Sequence, residues 1–126
     1  MTAYLKVRLE ATGDRTRLAI LESLARAPQA VVDLASRFPI SRPAVSQHLR
    51  ILKDARLILS ARDGRRTVYR ADPDALAELR AHFDRMWSDA LASFQDAAEA
   101  EAKPQREKEK KHGRKRHRSR KKRGRD

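Results

Sequence analysis

Residues 41–53, Ser-Arg-Pro-Ala-Val-Ser-Gln-His-Leu-Arg-Ile-Leu-Lys, do most to limit what this chain can fold into. Val45, Leu49 and Leu52 recur at helical spacing and form one apolar stripe. Ser41 supplies the hydroxyl of an N-cap, and Pro43 stands in the first turn, where its missing N–H matters little. The segment therefore predicts a short, capped helix whose stripe needs a core to cover it. Arg42, Ser46, Gln47 and Arg50 fall on the opposite face. Forked guanidinium and amide donors there match base edges, and a hydroxyl matches a phosphate. An ordinary solvated amphipathic helix fits the same thirteen residues, and this stretch alone leaves both readings open.

The period changes after Leu57. Residues 57–62 and 67–71 read as two short strands around Asp63-Gly64-Arg65-Arg66, and Asp-Gly is a strong hairpin signal. Upstream, Tyr4–Ala11 reads as a helix with uneven apolar spacing, broken by Gly13-Asp14. Asp14 caps a second helix to about Ala27, with Leu18, Leu21 and Leu24/Ala25 expected inward, and Pro28 ends it. Ala30–Phe38 reads as a third helix with Val31, Leu34, Ala35 and Phe38 inward. Three or four residues then lead into the helix at 41–53, which is the size of a helix-turn-helix. A hairpin directly after such a pair is a wing, and Arg62, Arg65 and Arg66 at its tip suit phosphates or a narrow minor groove. The fold class expected is mainly α with a small β-hairpin wing, a winged helix-turn-helix in the order α-α-α-α-β-β-α.

Asp72-Pro73-Asp74 caps a long last helix, to about Glu99. Leu76, Leu79, Phe83, Met86, Ala90 and Phe94 make a near-heptad seam, widened by Trp87 and Leu91. Packing on its own domain is the plainer use of such a seam. A domain this small has little surface to cover it, which favours pairing with a second copy.

Charge is unevenly spread. The chain carries +13 overall, with +7 in residues 37–70, −6 in residues 71–102 and +11 in residues 103–126. A polyanion is the natural partner for that layout. The domain is expected to span 1–100. The Lys/Arg-rich stretch 101–126 holds too little apolar surface to fold alone and is expected to be a disordered tail. That tail suits DNA backbone, RNA or solvent equally, since composition does not separate them. There is no cysteine, so disulfides, thiolate metal sites and cysteine nucleophiles are excluded. No apolar run approaches the ~18–20 residues of a membrane span, and the N-terminus lacks a signal-peptide core. The expectation is a cytoplasmic, nucleoid-associated protein with no membrane partner and no cofactor.

Four segments together resemble the ArsR/SmtB family of bacterial winged-helix repressors, over roughly residues 5–95. They are Gly-Asp-Arg-Thr-Arg-Leu-Ala-Ile-Leu at 13–21, Val-Asp-Leu-Ala at 32–35, Ile-Ser-Arg-Pro-Ala-Val-Ser-Gln-His-Leu-Arg-Ile-Leu at 40–52, and Gly-Arg-Arg-Thr-Val-Tyr at 64–69. Arg15 stands where the family usually has Pro. The resemblance implies that the helix at 41–53 enters the major groove of double-stranded DNA, presenting Ser41, Arg42, Pro43, Ser46, Gln47, His48 and Arg50. Arg42, Ser46 and Gln47 would lie near bases. Arg50 and the wing residues Arg62, Arg65 and Arg66 would lie at the backbone, with His48 packed or on a phosphate. It also implies a homodimer through the first and last helices, using Tyr4, Leu5, Leu79, Phe83, Met86, Trp87, Ala90 and Phe94.

Metal sensing is the best-known trade of that family, but the donors are lacking. The third helix has no thiol, and the last has His82 alone, with Glu78 and Asp84 as conceivable neighbours. His112 and His117 sit in the cationic tail, which would repel a divalent cation. Phe-x-x-Met-Trp-x-x-Ala-Leu at 83–91 looks like the metal-free branch, whose members often autoregulate or control a neighbouring operon. The expected function is a homodimeric, sequence-specific repressor that occludes promoter DNA at an inverted repeat, without a metal. The alternative is a non-specific DNA- or RNA-binding protein driven by the tail. No phosphate loop, nucleophile triad or carboxylate pair suggests an enzyme.

Overall fold

A computed structural model describes the backbone of residues 3–110 and the side chains of residues 4–102. It divides into two compact units, one ending at Arg80 and the other beginning at Ala81. The elements are α1 (Ala3–Ala11), α2 (Arg15–Arg26), β1 (Gln29–Ala30), α3 (Val31–Ala35), α4 (Arg42–Asp54), β2 (Ile58–Asp63), β3 (Arg66–Ala71) and α5 (Pro73–Lys110).

The core of the first unit closes on fully buried Ile20, Leu24, Leu34, Val45, Leu52, Leu57 and Ile58, with Leu5, Leu21, Leu49 and Leu79 around them. Helix α2 starts where its chemistry dictates. Asp14 has extended backbone, and its carboxylate accepts from the Arg17 N–H at 2.9 Å. Ile20, Leu21 and Leu24 make the inner face, whereas Leu18 and Ala25, expected inward, are exposed. The sequence-based phase of α2 was therefore off by part of a turn, because it gave Leu18 the place that Ile20 fills.

The sheet has three strands in the order β1-β3-β2, all antiparallel, rather than the two of a simple hairpin. Gln29 pairs with Tyr69 and Ala30 with Val68. The Gln29 side chain explains why this segment stays out of the following helix. Its Nε2 donates to the Ser23 and Ala27 carbonyls and to Ser23 Oγ, at 3.1, 3.2 and 2.9 Å, so it caps the end of α2. Helix α3 consequently begins one residue later than expected and ends at Ala35 instead of Phe38. Six residues, 36–41, then connect it to α4, against the three or four expected.

Helix α4 begins at the Ser41 cap, whose Oγ accepts from the Ala44 N–H at 3.2 Å, with Pro43 in its first turn. It ends in a Schellman motif: the Arg56 N–H reaches the Lys53 carbonyl at 2.9 Å and the Leu57 N–H the Leu52 carbonyl at 3.0 Å. Arg56 takes the left-handed conformation that this motif requires, with φ 59°. The hairpin turn is the pair Gly64-Arg65 between the partners Asp63 and Arg66. Only Gly64 of that pair has positive φ, 68°, which matches a turn with glycine at its first central position.

Asp72 caps α5, accepting from the Asp74 N–H on Oδ1 at 3.0 Å, and Pro73 occupies the first helical position. The helix continues to Lys110, past both the end expected at Glu99 and the domain boundary expected at residue 100. Residues 97–110 are rich in Ala, Glu and Lys, which favour helix. The rest of the expected disordered tail, 111–126, lies outside the described residues. Among the described residues no helix is long and apolar enough to cross a membrane.

Candidate nucleic-acid interface

Helix α4 turns one side inward and one side out. Val45, Leu49 and Leu52 are buried at 0, 2 and 0 % exposure. Ser41, Arg42, Pro43, Ser46, Gln47 and Arg50 are all exposed, and His48 is half-buried on the flank. Every one of these positions follows from the single stripe seen in the sequence. Ile51, which the sequence reading had not assigned to either face, is also exposed beside them.

The wing follows α4 directly and is tied to it. Lys53 Nζ, in the last turn of α4, donates to Ser60 Oγ of β2 at 2.7 Å. The three wing arginines are exposed but differently engaged. The Arg62 guanidinium folds back toward the Gly64 carbonyl at 3.5 Å. Arg65 stands in the turn itself. Arg66 pairs with Asp33 of α3 at 3.6 Å, so it also braces the base of the wing against the helix-turn-helix. Such a half-exposed pair is worth about 0–1 kcal/mol and opens readily to a stronger anion.

Behind this surface, Arg17 and His48 join α2 to α4. Arg17 Nη1 lies 3.4 Å from His48 Nδ1, and Arg17 Nε donates to the Ala11 carbonyl at 2.7 Å. The hydrogen bond from the Arg17 N–H holds the Asp14 carboxyl below its ordinary range, against the opposing effect of desolvation. The positive charge of Arg17 lowers it further.

The residues expected at a dimer contact fall in two places. In the first unit, Leu5 and Leu79 are buried in the chain's own core, 5 and 9 % exposed. Tyr4 is exposed, with the Arg8 and Arg56 guanidinium carbons 5.4 and 4.9 Å from its ring centre. In the second unit, Phe83, Met86, Trp87 and Phe94 are 52, 52, 66 and 71 % exposed, and Ala90 is exposed with them.

Sequence reasoning gave no role to Arg8. Arg8 is buried; its Nε donates to the Ala55 carbonyl at 3.1 Å and its Nη1 pairs with Glu78. It locks α1 to the end of α4 and the start of α5. The signal was its position between Leu5 and Ala11 at helical spacing, where a charged residue on a buried stripe calls for an acid and a carbonyl within reach.

Residues 14–60 match the family described as bacterial regulatory protein, arsR family. The chain is 49 % identical over 92 residues to the HTH-type transcriptional regulator Rv2034 of Mycobacterium tuberculosis (strain ATCC 25618 / H37Rv), covering 73 % of this chain and 86 % of that one. It is 36 % identical over 69 residues to the transcriptional repressor SdpR of Bacillus subtilis (strain 168), covering 55 % of this chain and 77 % of that one. Among solved structures, an ArsR-like transcriptional regulator from Rhodococcus sp. RHA1 superposes with a TM-score of 0.65 at 35 % identity, over 76 % of this chain and 93 % of that one.

Proposed function

The chain belongs to the ArsR family of DNA-binding transcriptional regulators, and from that premise we propose that it is a homodimeric repressor working without a metal. It is a regulator and not an enzyme. The observation that carries the finer reading is the outer face of α4, where Arg42, Ser46, Gln47 and Arg50 are exposed while the opposite stripe is sealed in the core.

In this reading α4 lies in the major groove. Arg42 addresses base edges with paired donors and Gln47 with an amide donor and acceptor, Ser46 sits beside them, and Ser41 and Pro43 fix the start of the helix at the groove. Arg50 and the wing residues Arg62, Arg65 and Arg66 neutralise phosphates. Two copies joined through Phe83, Met86, Trp87, Ala90 and Phe94 read an inverted repeat with half-sites about one helical turn apart, and so block a promoter. Metal independence is supported by donor chemistry: the sequence has no cysteine, and the imidazole of His82 stacks edge-on to Phe83 at 5.5 Å between ring centres.

Genomic footprinting with the purified full chain, at stated salt, tests the proposal. A protected inverted repeat is expected. The second reading, non-specific binding, rests on the +11 charge of residues 103–126. Deleting that segment separates the two readings. The repressor reading expects weaker binding with the preference for the repeat retained, and complete loss of preference would overturn it.

A further inference from the structure

Arg17 lies outside the outward face of α4, yet one of its three contacts reaches that helix. Its backbone N–H is held by Asp14 Oδ2 at 2.9 Å, and its Nε–H by the Ala11 carbonyl at 2.7 Å. The backbone is thereby held at the start of α2, and the guanidinium is fixed through Nε against the end of α1. Its remaining edge presents Nη1 to His48 Nδ1 at 3.4 Å. Arginine can only donate. A neutral imidazole facing a donor through Nδ1 must accept there, so its one proton resides on Nε2.

We infer that Arg17 is a positioning residue for the DNA interface: it fixes the His48 ring and its tautomer, so that Nε2–H is the donor offered to a DNA phosphate oxygen. His48 is half-buried on the flank of α4, between the core stripe and the exposed face. The two ring nitrogens diverge, so anchoring Nδ1 on Arg17 turns Nε2 away from α2. A flanking donor of fixed direction sets how deeply and at what angle α4 seats, which is what backbone contacts do in a groove reader. The inference rests on the DNA-binding reading above, but its first test needs no DNA.

Long-range ¹H–¹⁵N spectra of the ¹⁵N-histidine-labelled full chain, at a pH where imidazole is neutral, read the tautomer directly. His48→Gln identifies its signals among the four histidines. Wild type is expected to show a protonated Nε2 and an Nδ1 resonance shifted by an accepted hydrogen bond. Arg17→Lys, which keeps the charge but lacks the fork, is expected to abolish that shift. A protonated Nδ1 in wild type, or an Nδ1 signal unmoved by Arg17→Lys, overturns the inference whatever the protein does with DNA.

The second test is a double-mutant cycle on the footprinted site. Arg17→Lys is expected to weaken binding by about threefold to tenfold, the effect of one modest hydrogen bond, on all sequences alike. His48→Gln places an amide donor near the Nε2 position and should retain most of the affinity. In that background Arg17→Lys should have no further effect. Additive losses would mean that Arg17 acts independently of His48 and would overturn the inference. Thermal unfolding of each variant separates these outcomes from simple loss of the fold.

Discussion

At the scale of single residues, the proposed interface divides into groups that read and groups that hold. Arg42→Ala is expected to lower discrimination between the operator and altered sites by about 1–3 kcal/mol, the worth of a bidentate base contact. Arg65→Ala should instead weaken binding on every sequence and reduce the salt slope by about one ion. Titrations of both variants on matched and mismatched sites check this, and an equal loss on all sequences for the two would assign the roles wrongly. Arg56 poses a different question, because an arginine occupies a backbone state that suits glycine, at φ 59°. The left-handed state costs a side-chain-bearing residue about 1–2 kcal/mol. Stacking on Tyr4 returns about 0.5–1 kcal/mol. Arg56→Gly relieves the strain but loses the stacking and loosens the unfolded chain, so it should be nearly neutral. Arg56→Ala keeps the strain and loses the stacking, so chemical denaturation should rank alanine below glycine.

At the scale of elements, legibility followed locality. Helix α4 was readable because its cap, first-turn proline and stripe lie within thirteen residues, and the wing because a glycine turn joins adjacent strands. Strand β1 was not readable. It is two residues long and pairs with Tyr69 and Val68 far along the chain, and no local pattern announces such a partner. The shortened α3 is the same omission seen from the other side. Of the candidate interface, the outward positions on α4 were plain from the stripe, whereas the bracing residues Arg8, Arg17 and Asp33 act through contacts distant in sequence. The start of α2 carries a pH signature. Asp14 has a lowered pKa because its ionised form accepts the Arg17 N–H. Its contribution is complete above about pH 4 and is lost as pH falls through the depressed folded value. Asp14→Asn still caps the helix but has no charge to titrate. The gap in melting temperature between wild type and this variant should therefore narrow steadily as the pH is lowered below about 4; a gap independent of pH would show that the carboxylate charge contributes nothing.

At the scale of the whole molecule, the division at Arg80 separates two kinds of apolar surface. The first unit buries a core that ends with Leu79, while Phe83, Met86, Trp87 and Phe94 of the second are each more than half exposed. Trp87→Ala should weaken self-association at least about tenfold, as loss of a central tryptophan does in other interfaces. Sedimentation over a concentration series measures it. Unfolding of the first unit, followed at concentrations where both proteins are monomeric, should be unchanged. The position of Leu79 also orders events during synthesis. Among the described residues all the buried core lies within the first 79, and domains fold as units from the N-terminus as they emerge. The first unit can therefore close before the helix bearing Trp87 is complete, so the face proposed for pairing appears only on a chain whose core is already formed. In the proposed dimer, pairing becomes the last step of maturation, and its rate is set by how many copies the cell has made.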